Sequence, residues 1–218
     1  MKTFQDLELS PALIQEVESL GYQQPTPIQE RAIPLILKGK DLIGQAQTGT
    51  GKTAAFALPL LNQVIDQLSH DRRGPHTLVL TPTRELAIQV AEAFRKYGST
   101  PFRREVCLIY GGQPLKPQLD ALRDSPMIIV GTPGRVIDHI QRGSLSLEKL
   151  KTFVLDEADE MLKLGFRDEV EFILTHLPEN RQTLLFSATM PNEIEEIAQK
   201  HLSSDHERVL IKGGGITS

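Results

Sequence analysis

Tryptophan is absent from the 218 residues, and cysteine occurs once, as Cys107. A lone thiol cannot close an intrachain disulfide, and it excludes a zinc site built on several cysteines. Cys107 sits in the apolar run 106–109, where a buried, inert thiol is expected. The six histidines (His70, His76, His139, His176, His201 and His206) show no close ligand spacing, so all are read as surface or satisfied core residues and zinc is not expected. No stretch approaches the roughly 20 apolar residues that span a bilayer. The opening MKTFQDLELSPAL carries neither an apolar signal core nor a small-residue cleavage site, so a cytoplasmic protein without membrane contact is expected. Positive charge is not in excess either: 24 Lys and Arg stand against 28 Asp and Glu, a net charge of −4. That balance excludes wholesale attraction to a polyanion, so any nucleic acid must be held by local geometry, through helix N-termini and backbone N–H groups as well as basic side chains.

What is present is an ordinary globular balance, 39% hydrophobic and 24% charged, at a length that suits one sizeable domain. Short apolar runs at 41–45, 77–81, 106–110, 127–131, 153–156, 183–187 and 209–211 read as strands. Runs such as LVLTP, MIIVG and TFVLD are apolar at successive positions, as expected for strands covered by helices on both faces. Between them, segments 54–68, 84–97, 135–141, 168–177 and 192–202 carry apolar residues at helical spacing. Repeated strand-helix units with right-handed crossovers predict an α/β fold: a doubly wound, mostly parallel sheet of about seven strands flanked by helices. Residues 1–40 differ. They predict two helical segments, 11–20 and 28–37, joined by the Pro-rich GYQQPTP and packed on a core domain spanning 41–212. Residues 69–76 read as a surface loop and 213–218 as a flexible end.

Strand 41–45 runs into Ala46-Gln47-Thr48-Gly49-Thr50-Gly51-Lys52-Thr53, followed by an apolar helix. This is the context of a phosphate-binding loop: glycines let successive N–H groups converge on phosphate oxygens, Lys52 adds charge, and the Thr53 hydroxyl can ligate Mg²⁺. Ala46 departs from the strict pattern, which has glycine there. The run 153–155 ends in Asp156-Glu157-Ala158-Asp159, placing two carboxylates at the carboxyl end of a strand, where open α/β sheets bind ligands. Asp156 suits a carboxylate that holds Mg²⁺, and Glu157 a group that orients and deprotonates water. Taken alone, the same acids could simply favour the N-terminus of the next helix.

These motifs resemble those of the DEAD-box RNA helicases, whose name spells residues 156–159, and the likeness to that family's first RecA-like domain, a P-loop NTPase, runs nearly end to end. Residues 21–29, GYQQPTPIQ, are similar to the family's Q motif, with Phe4 at the expected distance upstream; Gln23 and Gln24 stand where the family often has charge. The resemblance implies ATP and Mg²⁺ as cofactors, with Gln29 pairing with the adenine edge and Phe4 or Tyr22 stacking on the ring. Thr48, Gly49, Thr50, Gly51, Lys52 and Thr53 would hold the phosphates, and Thr53 and Asp156 the metal, partly through water. Lys52, Asp156 and Glu157 would act in catalysis, together with Ser187-Ala188-Thr189, which resembles the motif linking hydrolysis to strand separation; on local chemistry alone that segment is a helix cap.

Three further segments match the RNA-facing motifs of the family: Pro82-Thr83-Arg84 at the start of PTRELA, Gly111-Gly112, and Thr132-Pro133-Gly134-Arg135. Such contacts avoid base edges, so RNA would be bound by its backbone with little sequence preference, its 2′-hydroxyls distinguishing it from DNA. Arg72-Arg73 and Arg103-Arg104 are read as solvated surface charge. The resemblance also implies a second RecA-like domain, carrying arginine fingers, that is not in this sequence. The chain is therefore expected to be a monomeric part of a longer ATP-dependent RNA helicase, binding nucleotide but hydrolysing poorly alone. The alternatives are a nucleotide-gated RNA- or protein-binding module without unwinding activity and a P-loop kinase acting on a small acceptor, with DNA as a further possible substrate.

Overall fold

The computed structural model describes residues 2–68 and 74–212. Expectations for His70, Arg72-Arg73, much of the 69–76 loop and the 213–218 end lie outside the described residues. After a short turn of 3-10 helix at Phe4–Leu7 come α1 (Pro11–Ser19), α2 (Pro27–Leu37), β1 (Leu42–Gln45), α3 (Lys52–Leu68), β2 (Thr77–Leu80), α4 (Arg84–Tyr97) and the single-turn α5 (Ser99–Phe102). Then follow β3 (Val106–Ile109), α6 (Leu115–Arg123), β4 (Ile128–Gly131), α7 (Pro133–Gln141), β5 (Thr152–Leu155), α8 (Ala158–Lys163), α9 (Arg167–Thr175), β6 (Gln182–Ser187), α10 (Asn192–His201) and β7 (Glu207–Leu210).

The strands form one seven-stranded sheet in the order β3-β4-β2-β5-β6-β1-β7. Every neighbouring pair is parallel, as the unbroken apolar runs required. Alternate side chains of each strand but the edge strand β7 enter different cores. Leu42, Val79, Ile128, Val130, Val154, Leu184 and Phe186 face one side, where α1 to α5 supply Leu13, Ile36, Phe56, Phe94 and Phe102. Ile43, Leu78, Leu80, Ile129, Phe153, Leu155 and Leu185 face the other, against Leu122, Val136, Met161, Ile173 and Ile197 of α6 to α10. A strand whose neighbours are apolar on both faces has no polar side for water, which is why its sequence shows no alternation.

Besides the single turn α5, two helices were not expected. Helix α6 contains Pro117 and only Leu115, Leu119 and Leu122 as large apolar residues, and α8 is six residues long and begins within the acidic motif, too short to display a period. Helices α3 and α7 begin two residues earlier than expected, at Lys52 and Pro133; at the latter, proline suits a first helical position. The first strand begins one residue later than expected. Asp41 is instead a buried cap whose carboxylate accepts from Thr183 N (2.8 Å) and Ser203 N (2.7 Å), tying β6 to the segment before β7. The last strand ends at Leu210 and starts at Glu207, earlier than expected, because it extends along β1 through Glu207 to Leu210 opposite Leu42 to Gln45.

The first forty residues pack on this framework through Phe4, Leu7, Leu9 and Val17, which form an apolar cluster with Ile33 of α2 and with Ala54 and Leu58 of α3. The close approach of β1 to β6 depends on Gly44. A Cβ at that position would lie 2.5 Å from both Cδ1 and Cε1 of Phe186, whose ring is fully buried 5.3 Å from that of Phe56. Gly44→Ala is therefore expected to destabilise the fold by about 1–3 kcal/mol, the usual cost of overpacking. Adding Phe186→Leu should recover part of that loss, so that the double variant costs less than the sum of the singles in equilibrium urea denaturation.

Candidate functional site

The segment 46–51 leaves β1 at its carboxyl end and turns into α3 through Gly49 and Gly51, both at φ +83°. Side-chain-bearing residues reach that conformation only with strain, so glycine is what lets the loop turn into the helix N-terminus. At Gly51 the fit is tighter still, because a Cβ would meet Gln29 Nε2 at 2.5 Å and Thr26 Oγ1 at 2.8 Å. Gln29 Nε2 donates to Gly51 O (3.0 Å) and Gln29 Oε1 accepts from Thr26 N (3.0 Å), so one amide joins the start of α2 to the loop. One N–H and one lone pair of Gln29 remain for a further partner.

Across the loop, β5 delivers Asp156 and Glu157. Asp156 is 2% exposed, and Glu157 adopts φ 54°, ψ 49°, a left-handed conformation uncommon for a residue with a long side chain and costing on the order of 1–3 kcal/mol. Both carboxylates converge on Lys52, whose Nζ lies 3.2 Å from Asp156 Oδ1 and 2.5 Å from Glu157 Oε1. Burial works against the charge of Lys52, but Asp156 and Glu157 more than offset it and hold its pKa above the ordinary value. Burial pushes the Asp156 carboxyl up; Lys52 pulls it back, and the Glu157 charge pushes it further up.

The fourth residue of the motif has another task. Asp159 accepts from Thr189 N (3.1 Å) and Thr189 Oγ1 (2.9 Å), and its own N–H donates to Ser187 Oγ (3.1 Å). Burial opposes its charge, yet these hydrogen bonds win and hold its carboxyl below the usual range. Ser187 and Thr189 therefore bind the end of β6 to the start of α8.

A cavity of about 420 Å³ brings together Gln29, Thr48, Gly49, Gly51, Lys52, Thr53, Asp156 and Glu157, with Tyr22 on its wall. Four of the candidates are not brought there. Phe4 is 2% exposed and packs in the apolar cluster beneath α1 and α2, leaving Tyr22 as the candidate ring. Thr50 turns its hydroxyl to Gln47 O (2.7 Å), and Ser187 and Thr189 are taken up by Asp159. The wall also includes Gln24 and Thr26 of GYQQPTPIQ, Leu86 of PTRELA, and Gln89, Val90 and Tyr97, none of which the sequence had marked as a nucleotide contact. The last four belong to α4, whose helical apolar period signals packing and is silent about a second role.

The remaining candidates follow β2, β3 and β4, which lie together as β3-β4-β2 at one side of the sheet, whereas β5, β6 and β1 carry the residues of the cavity and of the Asp159 link. Arg84, Gly111, Gly112 and Gly134 are exposed, Thr83 accepts from Leu86 N (3.3 Å) to cap α4, and Pro82 and Pro133 are buried, shaping turns. Arg135 donates to Gln113 O from both terminal nitrogens (3.1 Å each). Arg103 and Arg104 are exposed, as expected of solvated charge. Among the described residues no group of three or more His, Cys, Asp or Glu could hold a metal ion, and no helix is long and apolar enough to cross a membrane.

The family model described as DEAD/DEAH box helicase matches residues 26–197. The chain is 51% identical over 217 residues to the DEAD-box ATP-dependent RNA helicase CshA of Geobacillus kaustophilus, covering all of this chain and 45% of that protein. It is also 51% identical over 205 residues to the ATP-dependent RNA helicase DeaD of Klebsiella pneumoniae, covering 94% of this chain and 31% of the relative. Among solved structures, a DEAD box protein from the hyperthermophile Methanococcus jannaschii superposes with a TM-score of 0.88 at 43% identity, covering 96% of this chain and 56% of the other. The chain thus spans less than half the length of the curated relatives it matches here.

Removing the buried cation should expose the electrostatics of the site. Lys52→Met leaves Asp156 and Glu157 without their counter-charge, a change that costs about 3–5 kcal/mol in buried pairs. A carboxyl whose folded pKa is raised contributes stability at low pH that is lost as pH rises through that pKa. The variant is therefore expected to lose more stability than wild type on going from about pH 5 to about pH 8, read as the difference in urea unfolding free energy at the two pH values.

Proposed function

Because the chain belongs to the DEAD/DEAH box helicase family, we propose that it is the ATP-binding part of an ATP-dependent RNA helicase, its cavity taking ATP and its β3-β4-β2 edge taking RNA. The observation that carries this reading is the meeting of Lys52, Asp156 and Glu157 in one cavity with Gln29. A base-reading amide, a phosphate loop and a pair of carboxylates are the parts that nucleoside-triphosphate hydrolysis needs, and each has one place in this arrangement.

The base lies against Tyr22, with the free N–H and lone pair of Gln29 reading the adenine edge, the pairing an amide makes with adenine elsewhere. The backbone of residues 48–53 cradles the phosphates, and the Lys52 ammonium adds charge where it develops on the outer phosphate. Glu157 orients the attacking water and accepts its proton. The chemistry of the donor set fits a magnesium ion. Two carboxylates with restricted access to water already share one cation here, and Asp156 with the Thr53 hydroxyl would hold Mg²⁺, which needs few protein ligands when phosphates supply the rest. When bound, that ion would supply charge neutralisation at the phosphates. Asp159, fixed to Thr189 and Ser187, is the connection through which a change at the carboxylates reaches β6.

RNA lies across Arg84, Gly111-Gly112 and the N-terminus of α7, where Thr132, Gly134 and Arg135 offer hydroxyl, amide and guanidinium to phosphates. The remainder of the longer protein supplies a second RecA-like domain with the arginine fingers, groups worth roughly 10³ to 10⁵ in rate. Residues 1–40 are then a lead-in to a domain spanning 41–212, and the chain alone binds nucleotide but turns it over slowly, in the cytoplasm as a monomer.

Titration with ADP, AMP and GDP in parallel tests the base and phosphate assignments together. ADP should bind more tightly than GDP, and Gln29→Ala should erase that preference, worth about 1–3 kcal/mol for a bidentate pair. Lys52→Ala should weaken ADP by roughly 10- to 100-fold, the range of a charged hydrogen bond. Glu157→Gln should leave ATP binding in place while RNA-stimulated phosphate release by the full-length protein drops on the order of 10² to 10⁴. Equal affinity for ADP and GDP, or undiminished turnover by Glu157→Gln, would sink the assignment.

A further inference from the structure

Gln118 is a polar residue buried to 5% exposure on α6, away from the nucleotide cavity, and all three of its side-chain hydrogen bonds lead to the RNA-facing edge. Its Nε2 donates to Tyr110 O (2.9 Å), the carbonyl immediately before Gly111-Gly112. That bond fixes the amide orientation, because the reverse would set two oxygens against each other. Oε1 then accepts from Arg135 at 3.1 Å and faces His139 Nε2 at 3.0 Å. With Oε1 as an acceptor, His139 must carry a proton on Nε2, while Nδ1 lies 2.7 Å from Ser144 Oγ, whose hydroxyl donates to His139 O (3.2 Å). Burial holds the pKa of His139 below its ordinary value, which favours the neutral ring.

The third segment joins through Tyr110, whose ring lies under the Arg84 guanidinium at 5.0 Å. Three loops distant in sequence, those of Arg84, Gly111-Gly112 and Arg135, thus meet on Tyr110 and Gln118. We infer that Gln118 is a positioning residue for the RNA site: its buried amide, held by neutral His139, sets Arg135 and the Gly111-Gly112 turn at one spacing before RNA arrives. This inference rests on the RNA reading of Arg135 proposed above. Preset donors lose less freedom on binding, so the network acts on affinity for the RNA backbone and leaves nucleotide binding alone.

The test uses fluorescence anisotropy of a labelled single-stranded oligouridylate, with ADP titration and thermal unfolding in parallel, on wild type, Gln118→Leu, Gln118→Glu, Arg135→Ala and the Gln118→Leu/Arg135→Ala pair. Gln118→Leu is expected to weaken RNA roughly tenfold, about the worth of one charge-assisted contact, with ADP affinity unchanged. Gln118→Glu keeps an acceptor for Arg135 and His139 but sets an oxygen against Tyr110 O, so it should restore only part of the affinity. The double variant should bind about as weakly as the more damaging single and no worse, since the two changes remove one arrangement. If Arg135→Ala weakens RNA and Gln118→Leu does not, or if their losses add in full, the positioning role is overturned while the RNA reading stands. If Arg135→Ala binds RNA like wild type, the RNA reading of that edge is overturned and the inference with it.

Discussion

Every central strand of this sheet sends side chains into two apolar cores, and that two-sided burial decides where chemistry can take place. A strand so enclosed holds a polar group only where it is hydrogen-bonded, as Gln182 is to Ile36 O and Lys40 O, because an unpaired polar atom there costs several kcal/mol. Function is displaced to the carboxyl ends, where the chain must turn, glycines permit unusual angles, and helix N-termini gather unpaired N–H groups. The order β3-β4-β2-β5-β6-β1-β7 then sorts those ends. Strands β1, β5 and β6 are neighbours and bring together segments separated by more than a hundred residues, while β2, β4 and β3 form a second group beside them. The two proposed ligands would follow from one topology.

At the first group, desolvation is the dominant cost and the protein meets it in two ways. Asp41, outside the site, is buried yet stabilised by two backbone N–H groups, so it needs no cation. Asp159 is held in much the same way, by the hydroxyl and amide of Thr189. Asp156 accepts a single backbone bond, from Glu157 N (3.0 Å), and both it and Glu157 depend on the charge of Lys52. That contrast separates structural acids from chemical ones better than burial does. An acid satisfied by backbone amides is finished; an acid satisfied by a side-chain ammonium can exchange its partner.

The sheet was legible in the sequence because an unbroken apolar run between helical segments fits little besides a strand covered on both faces. The phosphate loop and the acidic pair were legible because glycine spacing and strand-end carboxylates are local signals. Phe4 illustrates what local signals miss. An isolated aromatic upstream of GYQQPTP looks available, but its burial depends on Ile33 and Leu58, which only the packed helices bring near it. Pro82 and Pro133 likewise belong to a surface motif while being buried, because a motif can shape backbone without presenting side chains. Gln118 left no trace at all. It lies on a short, proline-containing helix, and its importance arises from three partners 8, 17 and 21 residues away in sequence.

The join between Gln29 and Gly51 carries the reasoning one step further. Two separate demands fall on residue 51: a left-handed backbone at φ +83°, and no Cβ, since one would lie 2.5 Å from Gln29 Nε2. Asparagine could meet the first demand at modest cost, but only glycine meets both. The amide held there gives one hydrogen bond to the loop and takes another from the start of α2, so its orientation is fixed by the same loop that would hold phosphates. A phosphate tail that reshaped the loop would therefore also shift the amide proposed to face the base. On this arrangement the two ends of a nucleotide are sensed by one rigid connection, and the hydrogen bond from Gln29 to Gly51 O is the physical link through which the base and the phosphates would report on each other.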